Sequence, residues 1–384
     1  MVKTRLTALA VFVGALLLVA PAAGRVEQDP RAAYIVVLDA DANASDVAAQ
    51  HSRRFGASIS HVYTHALKGY AALLPAHAIE GIARSPQVAW VEADGVATAD
   101  ATQTSPPWGL DRIDQRARPL SGTYTYSNTG SAVKAYIIDT GIRLTHNDFG
   151  GRAITGVDAV TSGGSASDCN GHGTHVAGTV GGTTYGVAKS VTLVAVRVLD
   201  CGGSGTWSQV IAGIDWVTGN HAAGQPAVAN MSLGGSANSS VDAAVSNMIA
   251  DGVATAVAAG NGNQGGRQQD ACKYSPARVA TAMTIGATDS TDRKATWSNY
   301  GNCVDWFAPG VSILSAWSTS NTATNTISGT SMATPHTAGV AAQYLQSNSG
   351  ASPTIVRDAL YANTTKGVVT SSSTANNHLL FTDY

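Results

Sequence analysis

From Trp108 onward, short apolar runs rich in β-branched residues recur between longer helical stretches, and this alternation narrows the fold more than any other feature of the chain. The runs are Val133 to Ile138, Val191 to Leu199, Ala227 to Leu233, Val253 to Ala259 and Ala282 to Ile285. Helices are expected from Thr206 to about Asn220 and from Val241 to Ala250. Because the runs are apolar almost throughout, both of their faces must be covered. Helices joined by right-handed crossovers supply that cover, which gives an α/β fold with a mostly parallel sheet flanked by helices. In such sheets the chemistry gathers at the carboxyl ends of strands.

The stretch from Arg31 to about Gly95 is patterned differently. Strands at Tyr34–Leu38, Ile59–His65, Gly69–Leu74 and Val88–Val91, with helices from Ser45 towards Phe55 and around Ile79 to Ala83, follow the order β-α-β-β-α-β of a small ferredoxin-like α+β domain. Ser45 is the expected cap of the first helix and Gly56 its stop. The four histidines here (His51, His61, His65, His77) are scattered and read as surface or packing residues. Gly95 to Pro107 is small and polar, packs little, and suits proteolytic nicking. Ahead of both units, Lys3 and Arg5 precede an apolar run from Ala8 to Ala20 and then Pro21-Ala22-Ala23-Gly24, the order of a secretory signal peptide. That run is well short of the ~20 residues a membrane span needs. The expected organisation is 1–24 signal peptide, 25–100 an N-terminal domain, and 101–384 the main domain.

Apolar residues make up 44% of the chain and charged ones 12%, enough for a large core. A net charge of −2 leaves no footprint for nucleic acid. No later run is long enough to span a bilayer, so a secreted, extracellular protein free of the membrane is expected; nothing suggests oligomerisation, and a monomer is expected. An oxidising compartment makes disulfides available to Cys169, Cys201, Cys272 and Cys303. Three pairings are open, the sequence-local pairs being favoured, and without a C-x-x-C arrangement a structural zinc site is not expected.

Four residues carry the chemistry. Asp139 ends the run Ala135-Tyr136-Ile137-Ile138 and precedes Thr140-Gly141, which points a carboxylate towards the active-site crevice; alone it reads as a turn aspartate. His172 stands between glycines at the start of a helical stretch. His172 and His175 could be imagined as metal ligands, but the chain contains no glutamate from Ala101 to its end, which excludes a His-Glu-x-x-His zinc protease. Ser331 follows Gly329-Thr330 at the first turn of an apolar helix, where unbonded N–H groups and the positive dipole end suit a nucleophile that creates an oxyanion. Asn261, after Gly260, could donate to the same oxyanion. His336 is expected to pack beneath the site.

Together these residues stand in Ile-Asp-Thr-Gly, His-Gly-Thr-His-Val-Ala-Gly-Thr and Gly-Thr-Ser-Met-Ala-Thr-Pro-His, blocks that resemble the three signatures of the subtilase family, in its Asp, His, Ser order. Pro107-Trp108-Gly109-Leu110-Asp111-Arg112-Ile113 and the cysteine positions look most like the proteinase K and aqualysin branch. A lipase or esterase fits less well, because Gly-Thr-Ser-Met-Ala lacks the second glycine of a nucleophile elbow. The resemblance implies a subtilisin-like fold and a serine endopeptidase acting on proteins and peptides without a catalytic cofactor. Asp139, His172 and Ser331 would be its catalytic triad, and Asn261 would complete its oxyanion hole. It also implies an N-terminal propeptide that acts as an intramolecular inhibitor and is cut off near Ala101. Substrate would lie between Gly203-Ser204-Gly205 and Ser232-Leu233-Gly234, with Trp207 near the S4 subsite and Ala258-Ala259-Gly260 walling a neutral S1 pocket. Cutting before Ala101 would place Asp100 in that pocket, so Ala97 and Ala99 are alternatives. A structural calcium ion would be held by Asp305 and the carbonyls of Ala280 and Ala282. A second calcium site is not expected, because Asn363 stands where that branch has an aspartate.

Overall fold

The structure, a computed structural model, describes residues 30–95 and 101–384, which form two units divided within the stretch between them. The expected signal peptide and the alternatives Ala97 and Ala99 lie outside the described residues.

The first unit runs β1 (Arg31–Leu38), α1 (Ala44–Phe55), β2 (Ser58–Tyr63), β3 (Gly69–Pro75), α2 (Ala78–Ala83), β4 (Val88–Ala93). Its strands form one antiparallel sheet in the order β2-β3-β1-β4, with Val36, Leu38, Tyr70, Leu74 and Ile82 in the core. This is the expected β-α-β-β-α-β arrangement, with one correction. Asn43, not Ser45, caps α1, its Oδ1 accepting from the amides of Ser45 and Asp46, which moves the helix start forward by a turn's fraction. Gly56 ends the helix in the left-handed region at φ 69°, as expected.

The second unit opens with β5 (Ala101–Thr104), α3 (Trp108–Ile113), β6 (Thr123–Tyr126), β7 (Lys134–Asp139), β8 (Ala153–Asp158), α4 (His172–Gly181) and β9 (Thr192–Arg197). It continues through α5 (Trp207–Asn220), β10 (Ala227–Met231), β11 (Gly235–Ser236), α6 (Ser239–Asp251), β12 (Ala254–Ala258), β13 (Tyr274–Ser275) and β14 (Met283–Thr288). It ends with β15 (Trp306–Pro309), β16 (Ile313–Ala316), β17 (Thr324–Ile327), α7 (Thr330–Ser347) and α8 (Pro353–Asn363). Seven strands make an all-parallel sheet in the order β15-β14-β12-β10-β7-β9-β8. One face is covered by α4, α7 and α8 through Val176, Val180, Met332, Ala338 and Leu360, and the other by α5 and α6 through Val210, Ile214, Val245 and Met248. All five apolar runs are strands of this sheet.

The two edge strands β8 and β15 were not legible in the pattern. β8 carries Gly156, where a Cβ would lie 2.6 Å from the Ala195 carbonyl and 2.9 Å from Trp216, so close backbone approach replaces a side chain there. β15 has only four residues and ends in proline. The chain order reverses between β7 and β10, which opens a crevice at the carboxyl ends of those central strands. Cysteines pair Cys169–Cys201 and Cys272–Cys303, the favoured sequence-local arrangement.

Candidate active site

Asp139 is the last residue of β7 and is fully buried. Its Oδ1 accepts from His172 Nδ1 at 2.7 Å and from the Thr140 amide at 2.7 Å. Oδ2 is buried without a hydrogen-bond partner among the described residues. An under-satisfied buried carboxylate is costly and recurs at working sites, where its charge is aimed at one partner. With Nδ1 bonded to the carboxylate, the protonated tautomer is assigned to that nitrogen, leaving Nε2 as the basic atom.

His172 opens α4 after Gly171, whose φ of 117° favours glycine; a Cβ there would also strike Trp317 at 2.4 Å. Asp168, which was not recognised in the sequence, organises this turn. Its Oδ1 accepts from the amides of Asn170 and Gly171 and from Thr140 Oγ1, while Oδ2 accepts from the amide and hydroxyl of Thr174. One buried carboxylate thereby ties the end of β7 to the start of α4. Burial of the His172 ring disfavours its charged form, but the charge and hydrogen bond of Asp139, with Asp168 beyond, outweigh it and raise the pKa above the ordinary value.

A base must be neutral to accept a proton, so a raised pKa moves the acid limb of the kcat/KM profile above about pH 6.5. We expect activity to fall as pH drops through that limb. A profile that stays flat to pH 4 would show that His172 is not the base.

His175 and His336 are held neutral, burial pushing each down to about 4. His175 Nε2 meets the Ile313 carbonyl and His336 Nδ1 the Met332 carbonyl, so both are packing residues. Gly109 makes room for His336, whose Nε2 would lie 2.6 Å from a Cβ at that position.

Ser331 is the second residue of α7, after Gly329 and Thr330. Its hydroxyl donates to the Ser232 carbonyl at 3.0 Å, and the Ser232 hydroxyl donates back to the Ser331 carbonyl at 2.8 Å. Asn261 Oδ1 accepts from both the amide and the hydroxyl of Thr330, each at 2.8 Å. The amide oxygen is thus fixed and Nδ2 is left free to donate. A Cβ built on Gly329 would lie 3.5 Å from Asn261 Nδ2 and 3.5 Å from the Ser331 amide, so both donor nitrogens border the same space beside Gly329. Asn299, also missed in the sequence, holds the Asn261 loop: it donates to the Ala259 carbonyl and accepts from the amides of Gly262 and Gln269. No local signal marks Asn299, whose partners lie 30 to 40 positions away, whereas Asp168 bonds the amides two and three positions on, the pattern of a turn aspartate.

Two clefts adjoin along Leu233–Ser236, the second of them lined by Ser331. The first, of about 680 Å³, is lined by His172, Gly203, Ser204, Gly205, Trp207, Ser232, Leu233 and Gly234. The second, of about 630 Å³, is lined by Ala258, Ala259, Gly260, Asn261, Ser331 and the shared Leu233–Gly234 edge, with no charged side chain in its wall. Every residue expected to bind substrate thus lines one cleft or the other. The Gly203-Ser204-Gly205 loop is braced by Asp200 Oδ1, which accepts from the amides of Gly202 and Ser204, and by the Cys169–Cys201 bridge.

The expected calcium ligands fare differently. Asp305 and the Ala280 carbonyl do come together, but around Arg357: Nη2 bonds Asp305 Oδ1 at 2.5 Å and Nη1 bonds the Ala280 carbonyl at 2.7 Å. With a guanidinium on two of the three expected ligands, this set does not fit a calcium ion. Among the described residues no three His, Cys, Asp or Glu side chains are grouped to hold a metal, and no helix is long and apolar enough to cross a membrane.

Comparison with known proteins agrees with this geometry. The model of the subtilase family matches residues 130–380, and that of peptidase inhibitor I9 matches residues 33–100. An extracellular serine proteinase of Thermus sp. (strain Rt41A) is 58% identical over 330 residues, covering 86% of this chain and 79% of that protein. Alkaline serine exoprotease A of Vibrio alginolyticus is 49% identical over 333 residues, covering 85% of this chain and 61% of that protein. The crystal structure of a cold-adapted subtilisin-like serine proteinase superposes with a TM-score of 0.69 at 50% identity, covering 72% of this chain and 98% of that one.

Proposed function

Because this chain belongs to the subtilase family, we propose that Asp139, His172 and Ser331 are the catalytic triad with which it hydrolyses peptide bonds, and that Asn261 and the Ser331 amide form its oxyanion hole. The protein is a serine endopeptidase and uses no catalytic cofactor. The observation that supports the assignment is the Asp139–His172 hydrogen bond through Nδ1, with His172 lining the same cleft as Ser232, the residue bonded to Ser331.

In the reaction the Ser331 hydroxyl turns from the Ser232 carbonyl towards His172 Nε2. It gives up its proton as its oxygen bonds the scissile carbonyl carbon. Negative charge moves to the carbonyl oxygen, facing Asn261 Nδ2 and the Ser331 amide. Collapse of the tetrahedral species breaks the C–N bond, and His172 returns the proton to the leaving amine. Water then attacks the acyl carbon and gives a proton to His172; collapse of the second tetrahedral species breaks the bond to Ser331 Oγ, which takes that proton back from His172 as the acid is released. Asp139 stabilises the imidazolium at each stage without being protonated.

Substrate backbone adds as a strand along the Gly203–Gly205 and Ser232–Gly234 edges, a mode largely blind to side chains, so broad specificity follows. The uncharged wall at Ala258, Ala259 and Gly260 favours apolar or aromatic P1 residues. A panel of peptides differing only at P1 checks this: Phe and Leu are expected to exceed Lys and Glu in kcat/KM, and a preference for Lys would refute the neutral pocket. Casein against a long-chain lipid ester checks the reaction class, with turnover expected on casein.

We further propose that residues 1–24 direct secretion, that 25–100 serve as inhibitor and folding aid, and that the mature monomer begins near Ala101. Ala101–Thr104 already pair with Thr123–Tyr126 in the second unit, and Gln103 is tied to Lys189 and the Thr184 carbonyl, so a new terminus there would be held in place. A structural calcium ion would have to be held away from Asp305.

A further inference from the structure

We propose that the guanidinium of Arg357 is a built-in cation that takes the place of a bound calcium ion at Asp305 and makes that part of the fold independent of metal. Asp305 is 8% exposed, and one of its oxygens, Oδ2, accepts from the Thr284 amide at 2.8 Å. The other, Oδ1, faces a positive charge, which offsets the cost of burying the carboxylate. Arg357 supplies that charge and bridges to the Ala280 carbonyl with its second nitrogen. A carboxylate and a backbone carbonyl are the oxygen donors a hard cation such as calcium takes, and here a planar fork of N–H donors meets both.

The fork is positioned by the fold. Arg357 sits on α8, whose start is set by the Ser352 cap and Pro353, and whose Val356 and Leu360 are buried in the main core. What it holds matters to the site. Ala280 lies between Ala277, which lines the substrate cleft, and Thr284, whose hydroxyl donates to the Ala277 carbonyl. The Arg357–Asp305–Thr284 connection therefore braces the segment behind the S1 wall. A second guanidinium repeats the device: Arg116 bonds the backbone and side-chain oxygens of Asn363, the position at which a second calcium site was discounted.

The test counts calcium ions per chain by equilibrium dialysis with radioactive calcium, on enzyme blocked by a serine-directed inhibitor to prevent autolysis. Wild type and Asp305→Asn are expected to bind equal numbers, whatever sites exist elsewhere. Arg357→Ala is expected to bind one ion more. Its melting midpoint should fall by about 4–8 °C in chelator and recover in millimolar calcium. The proposal is overturned if Asp305→Asn binds one ion fewer than wild type, or if Arg357→Ala melts like wild type in chelator. Should Arg357→Ala fail to fold, the count for wild type against Asp305→Asn still decides.

Discussion

Ser331→Ala is expected to keep its N-terminal unit and to lose on the order of 10⁶-fold in kcat, the scale for removing the nucleophile from a triad that acts as a unit. The loss would be chemical. The substitution deletes one hydrogen bond, that from the Ser331 hydroxyl to the Ser232 carbonyl, while the return bond from Ser232 reaches a backbone oxygen that alanine retains. Intact mass and N-terminal sequencing beside wild type read the outcome. Wild type beginning near Ala101 with an uncut variant makes the protein its own processing enzyme. Identical maturation of both would assign the cut to another protease. If neither is cut, a secreted homologue that binds peptides without turnover becomes the better description.

The second large effect is expected at Asn261. Its side chain does two jobs: Oδ1 holds the buried Thr330, and Nδ2 is free to meet the oxyanion. Asn261→Ala removes both. Asn261→Asp keeps the two accepted bonds but replaces the donor with a negatively charged acceptor. Both variants should lose roughly 100- to 1000-fold in kcat, about 2.7–4 kcal/mol of transition-state stabilisation, with little change in KM. Their thermal midpoints should differ, Asn261→Ala being the less stable because the Thr330 amide loses its partner. Unequal stability with a similar loss of kcat would separate the donor from the scaffold role; unchanged kcat in both would remove Asn261 from the oxyanion hole.

The N-terminal unit shows how far local pattern carries. Its strands and helices lie where the apolar spacing places them, because period and capping depend on residues a few positions apart. The displaced cap, Asn43 for Ser45, shows the limit, since both residue types can bond an amide two or three positions on. The same local reasoning singled out Asp139, His172 and Ser331 beside their glycines and expected a helix from Thr206, which the structure shows to be the cap of α5, in a full capping box with Gln209.

The sequence by itself determined the parallel sheet and the order of its central strands along the chain, and it singled out the residues proposed to react, since each is written in contiguous residues. Only the tertiary structure decided what holds them. Asp168 joins β7 to α4, Asn299 fastens the Asn261 loop from nearly forty positions away, and Arg357 reaches an aspartate 52 residues before it and a carbonyl 77 before it. The resemblance assigned Asp305 and the Ala280 carbonyl to calcium, and nothing near either residue in the chain announces the arginine that meets them. A hydrogen bond between distant residues depends on where packing places both ends, and that placement is the sum of burial across the whole core rather than a property of either segment.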